Sequence, residues 1–168
     1  KDNTISNIIT GNAFAGFIIN GDNYDNMNFV NIETNGHDHH YVFDEKLEDW
    51  LDAGHGSCIP RDPACAKIVA EALCFFDGTR YRLNCFVIMP NHVHVLFCPN
   101  AGNDLQTILH SWKSFTAQKL NKLLGRRGAL WQEDYRDRMI RDETHFDACR
   151  EYIRNNPMTL PRIFTLWT

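Results

Sequence analysis

Two histidines separated by one residue stand in a segment that reads Met-Pro-Asn-His-Val-His-Val-Leu, residues 89–96. Side chains at positions i and i+2 of a β-strand point to the same face, so His92 and His94 would project side by side. Two imidazoles presented in this way can supply two ligands of a metal ion. The segment therefore predicts half of a metal site. A half-polar sheet face that binds no metal is the alternative that these residues leave open.

Tyr152 and Asn156 form a second pair of chemically capable residues. They stand four residues apart in a segment with a helical pattern, so their side chains would leave one helix face from successive turns. A phenol can act as a covalent nucleophile, and an amide oxygen can bind a divalent cation. If this helix packs over the histidine face, the four residues would suit metal-assisted attack on a phosphodiester. A core role for Tyr152 and a helix-end role for Asn156, which precedes Pro157, remain open.

The rest of the chain supplies the elements that must position these residues. Its hydrophobic patterns predict an antiparallel hairpin, a long helix, a further strand and a final helix, which indicates one α+β domain. We predict an irregular arm over residues 1–26, with a candidate short strand at Phe14–Ile19, ahead of a single domain at 27–168. The predicted strands are 27–34, 80–89, 92–98 and 129–141, and the predicted helices are 43–53, 64–76, 104–124 and 142–156.

Three details of these patterns concern packing and capping. Strict alternation along 80–89 predicts one shared face for the odd-numbered residues from Tyr81 to Met89. Thr144 resembles the first residue of a capping box on the final helix. The core stripe of the long helix is predicted to contain Leu105, Ile108, Leu109, Trp112, Phe115, Leu120 and Leu123. Stacking of Trp112 and Phe115 on nucleic-acid bases is the alternative to core packing for these two residues.

Composition places the chain among ordinary globular proteins. It has 168 residues, of which 43% are hydrophobic and 23% charged, enough for one domain with a core. No apolar run is long enough to span a membrane, so we expect a cytoplasmic protein without a membrane partner. The six cysteines contain no CxxC pair, which favours free thiols over a disulfide framework.

Charge is distributed unevenly along the chain. The net charge is −4, yet residues 113–141 hold eight basic and three acidic residues. Such a local basic patch could bind a phosphate-rich partner, although a solvated helix face with a charged strand would look the same. The candidates for phosphate contacts are Lys113, Lys119, Arg136, Arg138 and Arg141.

The order and spacing of four short motifs resemble a known family over residues 27–157. The motifs are Met89-Pro-Asn-His-Val-His-Val-Leu, Trp131-Gln132, Arg141-Asp-Glu with Phe146, and Tyr152-Ile-x-x-Asn156-Pro. Together they closely resemble the single-tyrosine HUH transposases of bacterial insertion sequences, the IS200-like superfamily. The resemblance is nearest to the branch called REP-associated tyrosine transposases.

The resemblance implies a complete catalytic set. His92, His94 and Asn156 would bind magnesium or manganese. Tyr152 would cleave single-stranded DNA beside a hairpin or palindrome and form a 5′-phosphotyrosine link that is later rejoined. The fold would be a ferredoxin-like sandwich, a central antiparallel sheet with helices packed on one face. Relatives occur as homodimers or monomers.

Other interpretations of the same residues remain. A domesticated relative could bind hairpin DNA without mobilising it. A small metalloprotein could hold zinc with His92, His94 and either Cys98 or the cluster His37, His39 and His40, which otherwise reads as a polar loop. Tyr135, between Asp134 and Arg136, is the rival nucleophile.

Overall fold

The computed structural model describes residues 13–18, 56–133, 135–140, 142–156 and 165–167. The elements predicted at 27–34 and 43–53 and the histidine cluster at 37–40 lie outside these residues. Within the described ranges, no helix is both long and apolar enough to cross a membrane.

A five-stranded antiparallel sheet forms the centre of the described structure, in the strand order β4-β1-β3-β2-β5. The strands are β1 (Ala13–Ile18), β2 (Tyr81–Ile88), β3 (His92–Pro99), β4 (Arg136–Met139) and β5 (Thr165–Trp167). The strand that carries both histidines is the middle one, paired with β1 on one side and β2 on the other. In the described residues, the α-helices α1 (Pro63–Phe75), α2 (Leu105–Leu123) and α3 (Glu143–Asn155), with a short 3-10 helix at Ile59–Arg61, complete the predicted α+β class.

The strand β1 confirms the short strand predicted at Phe14–Ile19, but this strand is part of the central sheet and not of a separate arm. It lies inside the sheet, between β4 and β3, so this part of the arm predicted over residues 1–26 belongs to the domain. Its sequence, Ala-Phe-Ala-Gly-Phe-Ile, lacks clean alternation. Pairing with two distant strands, which no local pattern reveals, places it in the sheet.

A break in register within β2 reverses the predicted alternation. Leu83 pairs with Phe97 and Cys85 pairs with the next residue, Leu96, so Asn84 is an extra residue in β2. After this bulge, the side chains on the Tyr81 side of the sheet are Phe86 and Ile88. The prediction of one face for all odd-numbered residues is therefore wrong. Cys85, Val87 and Met89 face the opposite side of the sheet.

Two apolar cores cover the two faces of the sheet. The first joins β2 and β3 to α1 and α2, and its central members include Leu73, Tyr81, Phe97 and Trp112. The second joins the other face to α3 through Val87, Leu96, Cys149 and Ile153. The prediction that the helices pack on one face is wrong, because α3 packs on the face opposite α1 and α2. The histidines and the final helix therefore share a face.

All three helices begin at an aspartate whose carboxylate accepts a hydrogen bond from a backbone N–H of the first turn. These N-caps are Asp62, Asp104 and Asp142. The prediction of Thr144 as the cap of α3 is wrong, since Asp142 accepts from the His145 N–H at 2.8 Å. An aspartate cap also suits the positive end of the helix dipole.

The strand β4 is shorter than the predicted 129–141 because the preceding segment is attached to α2. Lys113 Nζ donates hydrogen bonds to the carbonyl oxygens of Gln132 and Glu133 at 2.9 and 3.1 Å. The indole N–H of Trp131 donates to Thr116 Oγ1 at 2.8 Å. These contacts hold residues 131–133 against α2, and regular pairing with β1 begins at Arg136.

Tyr81 anchors the first core through its hydroxyl. The hydroxyl donates to the Leu73 carbonyl at 2.7 Å and accepts from the Trp112 indole N–H at 2.9 Å. Burial raises the pKa of Tyr81, which keeps the phenol protonated and able to donate.

We expect Tyr81→Phe to lower the free energy of unfolding by about 2–4 kcal/mol, because it leaves a buried donor and a buried acceptor unsatisfied. Urea denaturation followed by circular dichroism measures the change. Tyr135→Phe, at a partly buried tyrosine on the same side of the sheet, is the control and should change stability by less than about 0.5 kcal/mol. Equal stability of the two variants would contradict the role of the Tyr81 hydroxyl.

Candidate active site

The two histidines converge on one point on the second face of the sheet. Both side chains are buried, their ring centroids lie 4.7 Å apart, and their Nε2 atoms are separated by 3.0 Å. The neighbours Val93 and Val95 lie in the first core, on the other face. The side-by-side placement predicted from the strand period is therefore confirmed.

The separation of the two nitrogens fits a six-coordinate cation. Two ligands at right angles, each about 2.1 Å from a magnesium ion, would lie ~3.0 Å apart. His92 Nε2 and His94 Nε2 are 3.0 Å apart, which is also the distance of a hydrogen bond between the two rings. The pair can therefore accept such an ion without moving its rings far.

Asn91 orients His92, a role that the sequence motif did not reveal. The Asn91 Oδ1 atom lies 2.8 Å from His92 Nδ1 and accepts its hydrogen bond. An imidazole that carries its proton on Nδ1 presents the lone pair of Nε2. The sequence pattern assigned Asn91 to a turn, yet its side chain is buried beside the histidines. The only signal in the sequence is that an asparagine directly precedes a histidine, and its burial becomes visible only in the structure.

We expect Asn91→Leu to lower manganese affinity by about 10- to 100-fold, because the variant keeps the side-chain volume but removes the acceptor that orients His92. Titration with Mn²⁺, followed by electron paramagnetic resonance, measures the affinity. Asn91→Asp restores an acceptor and should bind at least as well as the wild type. Nitrogen NMR of the metal-free protein should show a smaller Nδ1–H tautomer population for His92 only in Asn91→Leu. Unchanged affinity and tautomer in that variant would contradict this role.

The helix α3 brings Tyr152 against the histidines. Cys149 and Ile153 fix one side of the helix in the second core. The Tyr152 ring meets the edge of the His94 ring, with centroids 5.1 Å apart and planes at 87°. Its side chain is 37% exposed, so an external substrate can reach it. Tyr152 therefore lies at the border between the buried histidines and solvent.

Asn156 is the first residue after α3 and lies one helical turn beyond Tyr152. Its backbone N–H donates to the Tyr152 carbonyl at 2.9 Å, and its own backbone is already extended. The following Pro157 disfavours a helical conformation at this position, which explains where α3 ends. The side chain is buried, and its Nδ2 atom has no hydrogen-bond partner among the described residues. This nitrogen is a hydrogen-bond donor, so any cation would have to be bound by the amide oxygen, Oδ1.

Apolar side chains of the second core form the floor of the site. Cys85 lies in the second core beneath the helix, and burial raises the pKa of its thiol to about 12. The described cysteines are all free thiols, as the sequence predicted.

The geometry bears on the rival nucleophile and on the zinc alternative that uses Cys98, whereas the alternative that uses His37, His39 and His40 lies outside the described residues. Tyr135 packs against the first core, on the face opposite the histidines. In the described part of the chain, no group of three or more histidine, cysteine or acidic side chains could hold a metal. Cys98 therefore does not complete a zinc site with His92 and His94.

The predicted phosphate contacts are placed only in part. Lys113 is engaged with two backbone carbonyls, and Lys119 is exposed on α2. The side chains of Arg136 and Arg138, and all of Arg141, lie outside the described structure.

The predicted core stripe of α2 is correct for Ile108, Leu109, Trp112 and Leu120 and wrong for two of its members. Trp112 is buried, which confirms core packing. Phe115 and Leu123 are 47% and 53% exposed, so their assignment to the core is wrong. Phe115 lies at the edge of the apolar stripe, and Leu123 is the last residue of α2. Helical periodicity alone does not separate a buried position from an exposed one at either place.

The comparison with protein families gives a match over the part of the chain that contains this site. The family model described as "Transposase IS200 like" matches residues 65–156, just over half of the chain. This chain belongs to the IS200-like transposase family, a class of DNA-processing enzymes, as its motifs indicated.

Two solved structures are similar to the chain at 14% identity. One is a REP-associated tyrosine transposase bound to a REP hairpin, with a TM-score of 0.49, covering 89% of this chain and 68% of that chain. The other is described as a putative transposase from Deinococcus radiodurans R1, with a TM-score of 0.39 and coverage of 86% and 88%. A comparison with curated proteins gives no significant match.

Proposed function

We propose that this chain is a metal-dependent transposase that cleaves and rejoins single-stranded DNA through a covalent bond to Tyr152. The observation that carries the proposal is the packing of Tyr152 on His94, whose Nε2 lies 3.0 Å from that of His92. A nucleophile in contact with two convergent imidazoles suits attack on a phosphodiester. Family membership independently supports DNA as the substrate.

The proposed cleavage is a direct displacement at phosphorus. The phenolic proton of Tyr152 leaves to solvent, and the phenolate oxygen attacks the scissile phosphate. The bond from phosphorus to the deoxyribose 3′-oxygen breaks, and this oxygen takes up a proton to become a 3′-hydroxyl. The 5′-phosphate stays on Tyr152. Because one phosphoester replaces another, attack by a 3′-hydroxyl on the phosphotyrosine can rejoin DNA without a nucleotide cofactor.

His92, His94 and Asn156 are the residues that we propose to hold magnesium or manganese. The spacing of the two imidazole nitrogens supports the histidine pair. The buried position of Asn156, one helical turn after Tyr152, supports its amide oxygen as the third ligand. A bound divalent cation supplies Lewis-acid polarisation of the phosphoryl oxygens. Asn91 keeps His92 in the required tautomer, and the exposed side of Tyr152 admits the DNA strand.

We propose a ferredoxin-like domain that recognises a hairpin or palindrome beside the cleaved strand. The strand order β4-β1-β3-β2, with α1 between β1 and β2 and α2 between β3 and β4, supports this architecture. The REP-associated relative, solved with a bound REP hairpin, makes hairpin DNA the first substrate to test. Either a monomer or a homodimer is compatible with a site built from the described residues of one chain.

The test is a covalent-adduct assay on a library of labelled single-stranded oligonucleotides with hairpins. Protein with Mn²⁺ should yield a labelled species that resists denaturing electrophoresis, together with a released fragment ending in a 3′-hydroxyl. Chelation of the metal should suppress both products. Specific binding without any adduct across the library would overturn the proposed activity and support the alternative of a hairpin-binding protein that does not mobilise DNA.

A further inference from the structure

A strip of aromatic and basic side chains follows one flank of α2, away from the candidate active site. Phe115, Lys119 and Lys122 are spaced by four and three residues, so they lie on the same side of the helix. All three are exposed. Phe115 keeps 47% of its surface accessible, although aromatic side chains usually contribute to a core.

A turn that contains two arginines follows the C-terminal end of α2. Gly125 and Gly128 adopt positive φ angles of 62° and 98°, a conformation that favours glycine. The Asn121 side chain donates to the Gly128 carbonyl at 2.8 Å and ties the turn back to α2. The residues between the two glycines are Arg126 and Arg127. Phe115, Lys119, Lys122, Arg126 and Arg127 are called the α2 strip below.

The α2 strip is a concentration of positive charge in an acidic chain. Residues 105–132 contain five basic residues and no acidic one, whereas the whole chain carries a net charge of −4. The salt bridges found among the described residues all lie elsewhere, so no acidic partner there neutralises the strip. They join Lys67 to Glu71, Arg150 to Asp147 and Arg154 to Glu151. The Lys119 ammonium instead lies 5.6 Å from the centroid of the Phe115 ring.

We propose that the α2 strip binds an unpaired segment of the DNA substrate. A base would stack on Phe115, and backbone phosphates would lie beside the four cations. Unpaired strands are commonly held in this way, by an aromatic face for a base and positive charge along the backbone. A duplex hides its base faces, so an isolated exposed ring favours a single strand.

The location gives the strip a function separate from cleavage. The helix α2 packs on the first core, whereas the histidines and α3 occupy the other face of the sheet. A DNA segment bound to the strip would therefore lie on the face of the sheet opposite the reacting phosphate, and the DNA would have to pass around the edge of the sheet to connect the two. This inference rests on the proposed function in one respect, namely that DNA is the substrate.

Phe115→Ala tests the stacking contact. Fluorescence anisotropy with labelled hairpins that carry single-stranded flanks, in the presence of EDTA, measures binding without cleavage. We expect the affinity to fall about 5- to 150-fold, the range found for loss of one stacked base. Phe75→Ala is the matched control, because Phe75 is an exposed aromatic on α1, with 75% of its surface accessible. It should leave the affinity within twofold of the wild type.

The salt dependence tests the phosphate contacts. Each phosphate contact with a single strand contributes about 0.7 to the slope of log affinity against log salt concentration. The double variant K119Q/K122Q should therefore lower the slope by about 1.4. Lys67→Gln, at an exposed lysine paired with Glu71, is the control for charge and should leave the slope unchanged.

Three results would overturn the inference. The first is wild-type affinity and slope in both α2 variants. The second is failure of the wild type to bind single-stranded flanks more tightly than a blunt hairpin. The third is tighter binding of the matching RNA with the same losses, which would make the strip an RNA surface. If the protein forms the adduct but the α2 variants bind DNA like the wild type, the proposed function stands and the inference about the strip is wrong. If the α2 variants lose binding but the wild type forms no adduct, the inference about the strip stands and the proposed cleavage activity is wrong.

Discussion

Replacing Tyr152 with phenylalanine abolishes the covalent protein–DNA adduct, with a fall in cleavage of the order of 10³-fold or more. The variant removes only the phenolic oxygen, so no atom remains to receive the phosphate. The ring itself stays, and with it the edge-to-face contact with His94. Denaturing electrophoresis of labelled hairpin DNA incubated with Mn²⁺ measures the result.

The variant should otherwise resemble the wild type. Tyr152 is 37% exposed and lies outside the second core, so we expect the unfolding midpoint to stay within a few degrees. Binding of DNA in EDTA should also be retained. Tyr135→Phe is the matched control, since it removes the hydroxyl of the rival tyrosine on the other face of the sheet. An adduct that survives in Tyr152→Phe and disappears in Tyr135→Phe would reverse the assignment.

The parts of the site that follow local periodicity were predictable from the sequence. The two-residue period of β3 places His92 beside His94, and the helical period of α3 places Tyr152 and Asn156 on successive turns. Each depends only on backbone geometry within one element. Gly125 after α2 and Pro157 after α3 likewise mark helix ends through their own conformational preferences.

The parts that depend on distant partners were not predictable in this way. The inner position of β1 follows from pairing with β3 and β4. The bulge at Asn84 exchanges the faces of β2, and a single asparagine inside an alternating pattern does not by itself predict a bulge. Phe115 reads as a core residue because its helical phase differs little from that of Trp112, yet the first core does not reach it. In each case the outcome is decided by residues that are distant in the sequence and not by the local pattern.

The assembly of the site on one face of the sheet depends both on local periodicity and on contacts between distant segments. The motif residues alone allowed α3 to lie on either side of the sheet. Cys149 and Ile153 join Val87 and Leu96 only because the bulge turns Val87 toward that side. The position of the nucleophile therefore depends on a bulge in a strand that carries no proposed catalytic residue.

Replacing His92 with glutamine lowers Mn²⁺ affinity by at least about 100-fold, more than loss of a group that only orients a ligand. The adduct should disappear as well, since glutamine cannot present a nitrogen lone pair to the cation. Paramagnetic resonance of free Mn²⁺ measures the affinity, and gel electrophoresis measures the adduct. His110→Gln is the matched control, because His110 is exposed on α2 and should change neither quantity.

Because His92 is buried, loss of function could also follow from unfolding, and the design separates the two. The circular dichroism spectrum of His92→Gln should match that of the wild type, and its binding of DNA in EDTA should persist through the α2 strip. His94→Gln should give the same pattern, since its Nε2 lies 3.0 Å from that of His92. Wild-type Mn²⁺ affinity in both folded variants would remove the histidine pair from the metal site. Tight stoichiometric zinc in protein prepared without chelators would instead favour a zinc protein, because a site of two histidines and one amide does not hold zinc in this way.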